Sequence, residues 1–170
     1  MDEKLTKQAN GEIKVSFELN LEASLEDVWN LLTTNAGLAQ WFHELEVGEL
    51  GEEGYFNFIM TPTERIKMPI LKYVKKTKIG FEWDQDSVLF QLEPLDNDNV
   101  KLIFSEELKN ITEHTPRDIA GWNLCLRRIQ LVLIKKIATT VNQDEFDELV
   151  GKYKSELVKL EGNKDSNREE

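Results

Sequence analysis

Residues 117–141, RDIAGWNLCLRRIQLVLIKKIATTV, limit the fold most, because they read as a helix that is apolar over more of its circumference than one buried face requires. At the helical 100° per residue, Ile119, Trp122, Cys125, Leu126, Ile129, Val132, Leu133 and Ile137 fall within an arc of about 140°. A narrower stripe of Ala120, Leu124, Leu131 and Ile134 lies beyond Asn123 and Gln130, and Arg117, Arg128 and Lys135 share the remaining side. Such a helix needs two apolar partners, one broad and one narrow. At its start Thr115 suits a cap, Pro116 the first helical position, and Asp118 completes a capping box.

The broad partner is found upstream. GEIKVSFELNL sets Ile13, Val15, Phe17, Leu19 and Leu21 against Lys14, Ser16, Glu18 and Asn20, the period-two alternation of a strand with one dry face. Ser24 then caps a helix whose apolar face is Leu25, Val28, Trp29 and Leu32, and a second short helix spans roughly Ala36 to Phe42. From Glu44 to Leu108 strand follows strand. Phe56, Phe58 and Met60 share a register, as do Ile79, Phe81 and Trp83; Val88, Phe90 and Leu92; and Val100, Leu102, Phe104, Glu106 and Leu108. GEEG, DQDS and DNDN supply turn chemistry between them. Close spacing without intervening helices predicts an antiparallel sheet. Pro62 and Pro69 mark the segment between residues 61 and 70 as a loop or an edge strand.

After the long helix, Phe146, Leu149, Val150, Tyr153, Leu157 and Leu160 recur at helical spacing from about Asp144 to Glu161. Residues 1–10 and 162–170 are polar and are expected to be flexible. One domain over residues 11–141, with an added helix at 142–161 packed on it or across a dimer, is the expected organisation.

With 32 acidic against 21 basic residues the formal charge is −11, which opposes attraction to phosphate backbones, so no nucleic-acid partner is expected. Cys125 is the one cysteine, so no intrachain disulfide can form. The start lacks the apolar stretch of a signal peptide and no run suits a bilayer, so no membrane insertion and a cytoplasmic location are expected.

Three stretches in order carry a family resemblance: LEASLEDVWNLLTTNAGLAQWF, IGFEWDQDSVLFQLEP, and DIAGWNLCLRRIQLVL with its Gly121, Trp122 and Leu126. They resemble the START-like (SRPBCC) superfamily, in the branch similar to the activator of heat-shock-protein ATPase. The resemblance covers roughly residues 12–138. It implies an α+β helix-grip fold, a curved antiparallel sheet wrapped around a long C-terminal helix. The chain departs from the pattern at Gly51-Glu-Glu-Gly54, where members often carry Gly-Gly, and at KKTKIG, which lacks a common proline. Where members often place Thr and His it has Ser105 and Glu106, so chemistry through that histidine does not carry over.

A helix held across a curved sheet leaves space between them unless large side chains fill it. The candidate lining is Phe58, Phe81, Trp83, Phe90, Phe104, Trp122, Leu126 and Ile129, with Trp41 and Phe42 near a mouth. The plainer alternative is that these side chains pack into a dry core. Glu106 continues an apolar register and would aim a carboxylate inward; the plainer expectation is that the strand has ended there and Glu106 is solvated.

His43 and Glu44 make a thin case for metal, Cys125 reads as a small buried hydrophobe, and no phosphate loop or nucleophile elbow appears. No catalytic residue, metal or cofactor is therefore expected. The leading expectation is a non-enzymatic binding module for a small hydrophobic ligand such as a lipid, polyketide or aromatic metabolite. A cavity-based cyclase or hydrolase using Glu106, His114 and Ser105 is one alternative, and a chaperone-associated interaction domain is another. A homodimer through the C-terminal helices would cover their apolar stripe.

Overall fold

A computed structural model describes residues 1–134 and 143–166. The expected helical positions Lys135 and Ile137 lie outside the described residues. In chain order the elements are β1 (Asp2–Lys7), β2 (Ile13–Leu21), α1 (Leu25–Thr33), α2 (Asn35–Trp41), β3 (Leu45–Glu49), β4 (Tyr55–Thr61), β5 (Glu64–Val74), β6 (Lys78–Trp83), β7 (Asp86–Asp96), β8 (Asn99–Leu108), α3 (Thr115–Leu133) and α4 (Gln143–Ser166). The strands form one antiparallel sheet in the order β1-β2-β8-β7-β6-β5-β4-β3. Helix α3 lies against its inner face, giving the helix-grip architecture.

The inner registers follow the period-two patterns. Val15, Phe17 and Leu19 on β2, Leu102 and Phe104 on β8, and Val88 and Phe90 on β7 are all buried. Strand registers put Phe17 and Phe90 on either side of Phe104, and the Trp122 ring of α3 packs on Phe104 with centroids 4.7 Å apart. Ser24 caps α1 by accepting from the Asp27 N–H at 3.1 Å. Thr34 caps α2 by accepting from Gly37 N–H at 2.9 Å, and the Trp41 indole locks the two helices by donating to Leu31 O at 2.8 Å.

Several expectations are corrected. The first ten residues, expected to be loose, contain β1, which pairs with β2 from Asp2↔Glu18 to Lys7↔Ile13 and covers what would otherwise be an open edge. Thr115 does not cap α3. It is the first helical residue, His114 occupies the cap without a side-chain bond, and Thr115 Oγ1 instead accepts from Thr112 N–H at 2.9 Å. Pro116 removes one of the N–H groups a cap would serve. Helix α4 runs past Glu161 to Ser166.

The segment after Pro62 is strand rather than loop, and it is not at the outer edge of the sheet. Its register explains the prolines. Residues 64–69 of β5 pair only with β4, ending at Tyr55↔Pro69, whereas pairing with β6 begins at Ile70↔Phe81. Each half of β5 therefore has one open side, and Pro69 falls at the changeover, where a missing N–H costs little.

Helix α4 packs on its own chain, burying Leu149, Tyr153 and Leu157. The Tyr153 ring meets Phe17 edge-on at 6.5 Å. Asn123, which separates the two apolar arcs of α3, donates its Nδ2 to Tyr153 Oη at 2.8 Å, and Arg127 pairs with Glu145. No described helix is long and apolar enough to cross a membrane.

Candidate functional site

Because β5 changes partners at Ile70, its first half and β4 part company with the end of the β6–β7 hairpin. Glu82 and Trp83 of β6 pair only with Ser87 and Asp86 of β7. A cleft of about 520 Å³ opens at this split. One wall is apolar: Phe58 and Met60 from β4, Ile66 and Met68 from β5. The opposite wall is the hairpin tip, Trp83 to Asp86, and the base is closed by Asn110, Thr112 and the start of α3 with Asp118.

The predicted residues divide between cleft and core. Phe58 and Trp83 line the cleft. Half-buried Phe42 stands behind them, edge-on to Phe58 at 6.4 Å and to Trp83 at 5.8 Å. Trp41, Phe81, Phe90, Phe104, Trp122, Leu126 and Ile129 are buried in a continuous core. Their rings fill the space between helix and sheet: Trp83 and Trp122 lie 4.9 Å apart, Phe90 and Phe104 5.1 Å.

Glu106 is not solvated. It is fully buried, because β8 continues past it to Leu108 and pairs with β2 and β7 on both sides, Val15↔Glu106 and Val88↔Glu106. Neither carboxyl oxygen finds an N–H donor in the protein. The group facing it is another carboxyl, Asp118, and a hydrogen bond between the two requires one to carry a proton. Burial first, then Asp118 as a hydrogen-bond partner and as a charge, then the charge of Asp86, push Glu106 well above the usual carboxylate range.

Asp118 sits in the first turn of α3 and accepts from the Trp83 indole N–H at 2.6 Å. Asp86 accepts from the Lys109 backbone N–H at 2.9 Å. Partial burial raises the Asp86 pKa, the Lys109 N–H opposes that, the charges of Asp118 and Asp84 add to the rise, and the Lys109 charge opposes it. Three carboxyl groups from β7, β8 and α3 thus meet at the base of an apolar cleft.

Sequence reading placed Asp86 in a turn and Asp118 in a capping box, and so missed both. A signal was available. Stepping back two residues from Val88 gives Asp86, just as stepping on two from Phe104 gives Glu106.

His114 lines the cleft, but Ser105 points to the opposite face of the sheet, in a shallow depression with Lys14, Lys72 and Glu107. The trio considered for catalysis therefore does not converge. His43 Nε2 lies 3.1 Å from Glu44 on the surface, and among the described residues no group of three His, Cys, Asp or Glu side chains could hold a metal ion.

The model of the family described as Activator of Hsp90 ATPase homolog 1-like protein matches residues 22–133. The chain belongs to that family. It is similar to the conserved protein of unknown function EF2215 from Enterococcus faecalis, with 30% identity over 93% of this chain and 91% of that one, and a TM-score of 0.83. Two further structures share the fold. CalU16 from Micromonospora echinospora is 15% identical over 91% of this chain and 96% of its own, with a TM-score of 0.69. The Aha1 dimer from Colwellia psychrerythraea is 18% identical over 71% of this chain and 95% of its own, with a TM-score of 0.59. No curated protein is significantly similar in sequence.

Proposed function

We propose that this family member is a non-enzymatic binding module whose small, largely apolar ligand, of the lipid, polyketide or aromatic-metabolite kind, enters the cleft at the split in the sheet. The observation that carries the reading is the apolar wall. Met60 is 53% and Ile66 50% exposed, although both face a concavity of about 520 Å³. That volume lies within the roughly 300–1,000 Å³ usual for small-molecule sites, and a few polar groups at the base would orient a ligand. Residues 11–141 are the ligand-holding unit in this reading, and α4 braces it.

Of the predicted lining, Phe58 and Trp83 would touch the ligand and Phe42 would support them; the buried residues would hold the walls in place. An enzymatic role would have to proceed without Ser105, and a chaperone-linked role rests on the family's description alone. The apolar side chains of α4 that pack inward are already covered, so a homodimer would use its outer face, where Val158 is 60% exposed.

Screening a library of apolar metabolites by protein-detected NMR tests the reading. Binders should shift the Trp83 indole N–H and the methyl signals of Met60 and Ile66. A library in which no member moves those signals would remove the proposal.

A further inference from the structure

The base of the cleft has a chemistry that its walls do not require. Asp84, Asp86 and Asp118 line it together with His114, Glu106 lies beneath, neither lysine nor arginine occurs among the lining residues, and the Lys109 charge acts on Asp86 from outside the lining. Asp86 and Asp118 each use Oδ1 on a protein donor, the Lys109 N–H and the Trp83 indole N–H, and Asp118 also faces the Glu106 carboxyl. Glu106 is completely enclosed, has no N–H donor for either oxygen, and faces Asp118 rather than solvent. The neighbours that pair with it in the sheet, Val15 and Val88, are uncharged, so the groups acting on it come from α3 (Asp118) and β7 (Asp86).

A buried carboxyl without an N–H donor, beside two carboxylates that each hold a single N–H donor, forms an arrangement that a positive hydrogen-bond donor would complete. A primary ammonium offers three donors and one charge in a compact group.

We infer that the cleft selects an amphipathic cation, an apolar or aromatic body against Phe58, Met60 and Trp83 joined to an amine seated between Asp86 and Asp118. The inference rests on the small-molecule reading of the cleft and names the ligand class within it. An anionic ligand such as a fatty acid would meet the carboxylates head-on and is disfavoured by the same geometry.

Three probes of equal shape separate the two readings: 1-naphthylmethylamine, 1-naphthalenemethanol and 1-naphthoic acid, each titrated into the full chain at pH 7 with the Trp83 indole N–H followed by NMR. The amine should bind on the order of tenfold more tightly than the alcohol, and the acid most weakly. Asp118→Asn and Asp86→Asn keep the side-chain shape, and each should reduce the amine's advantage over the alcohol at least severalfold. If Asp118→Asn does not fold, Asp86→Asn carries the test.

Alcohol or acid binding at Trp83 as tightly as the amine would overturn the cation inference and leave the apolar cleft standing. No shift at Trp83 with any probe would overturn both. An amine preference that survives the carboxamide variants would also overturn the inference, because the charge would then be recognised elsewhere.

Discussion

Tyr153, seventeen residues from the end of the sequence, donates its phenolic hydrogen to Glu3 Oε2 at 2.8 Å, and so ties the last helix to the first strand. The same oxygen accepts from Asn123 Nδ2 at 2.8 Å, which brings the long helix into the junction. Lys152 pairs with the other Glu3 oxygen. Burial, chiefly, pushes the Tyr153 phenol above its usual range, so the hydroxyl stays neutral and donates.

Tyr153→Phe should therefore destabilise the fold by about 1–3 kcal/mol, because it leaves Asn123 Nδ2 and Glu3 Oε2 without a partner in a mostly buried place. Urea unfolding followed by far-UV circular dichroism measures this. Removing residues 142–170 should lower the melting temperature further, since the apolar surface covered by Leu149, Tyr153 and Leu157 becomes wet. A truncated chain with the parent's melting temperature and elution volume would contradict the bracing role of α4.

Glu106 should make stability fall as pH rises. Its folded pKa lies above the unfolded value near 4.5, so the folded state holds the proton more tightly. The contribution is full below about 4.5 and is lost as pH rises through the raised folded pKa. Asp86 acts with the same sign, starting from 3.8. Glu106→Gln keeps a neutral hydrogen-bond donor beside Asp118 and should flatten the profile, with its largest stabilisation at alkaline pH. Urea titrations at pH 5 and pH 9 provide the comparison, and a variant parallel to the parent at both would refute the assignment.

Met60→Asp and Ile66→Asp separate binding from folding. Both side chains are about half exposed, so each substitution should change stability by no more than roughly 0.5 kcal/mol. Each should weaken 1-naphthalenemethanol on the order of tenfold by placing a carboxylate in the apolar wall. Denaturant midpoints and NMR titration on the same samples check the two halves of the prediction.

Cys125 should be inert in the native protein. It is 8% exposed, and burial, only partly offset by Arg128, pushes its thiol up to about 12. A disulfide reagent at pH 8 should label it at the rate of unfolding, and quickly in 6 M guanidinium. Rapid labelling of the folded protein would show that α3 is less firmly seated than its packing implies.

The registers of the inner face were legible residue by residue. Val15-Phe17-Leu19, Val88-Phe90-Leu92 and Val100-Leu102-Phe104 alternate strictly, and each lies buried on the side the alternation assigns. The Ser24 cap could likewise be read from residues close in sequence, because the bond spans three positions. Thr115 looked equally suited to capping, but the local competition among Thr112, His114 and Pro116 decided otherwise.

The site was legible only in part. Phe58 and Trp83 were found as members of apolar registers, but so were Phe81, Phe90 and Trp122, and alternation cannot separate a ring facing a gap from one facing another ring. Ile66 and Met68 were hidden by the prolines around them. The changeover at Ile70 that opens the cleft depends on β5 having two different neighbours, which no local pattern encodes.

By itself the sequence determined which faces turn inward, since backbone pleat and helical pitch impose fixed periods that hydrophobicity must match. Tertiary structure alone decided that Asp86, Glu106 and Asp118 meet. The three lie on different elements, their approach is set by strand register and by the seating of α3, and carboxyl groups so placed acquire their chemistry from distance and burial rather than from their order along the chain.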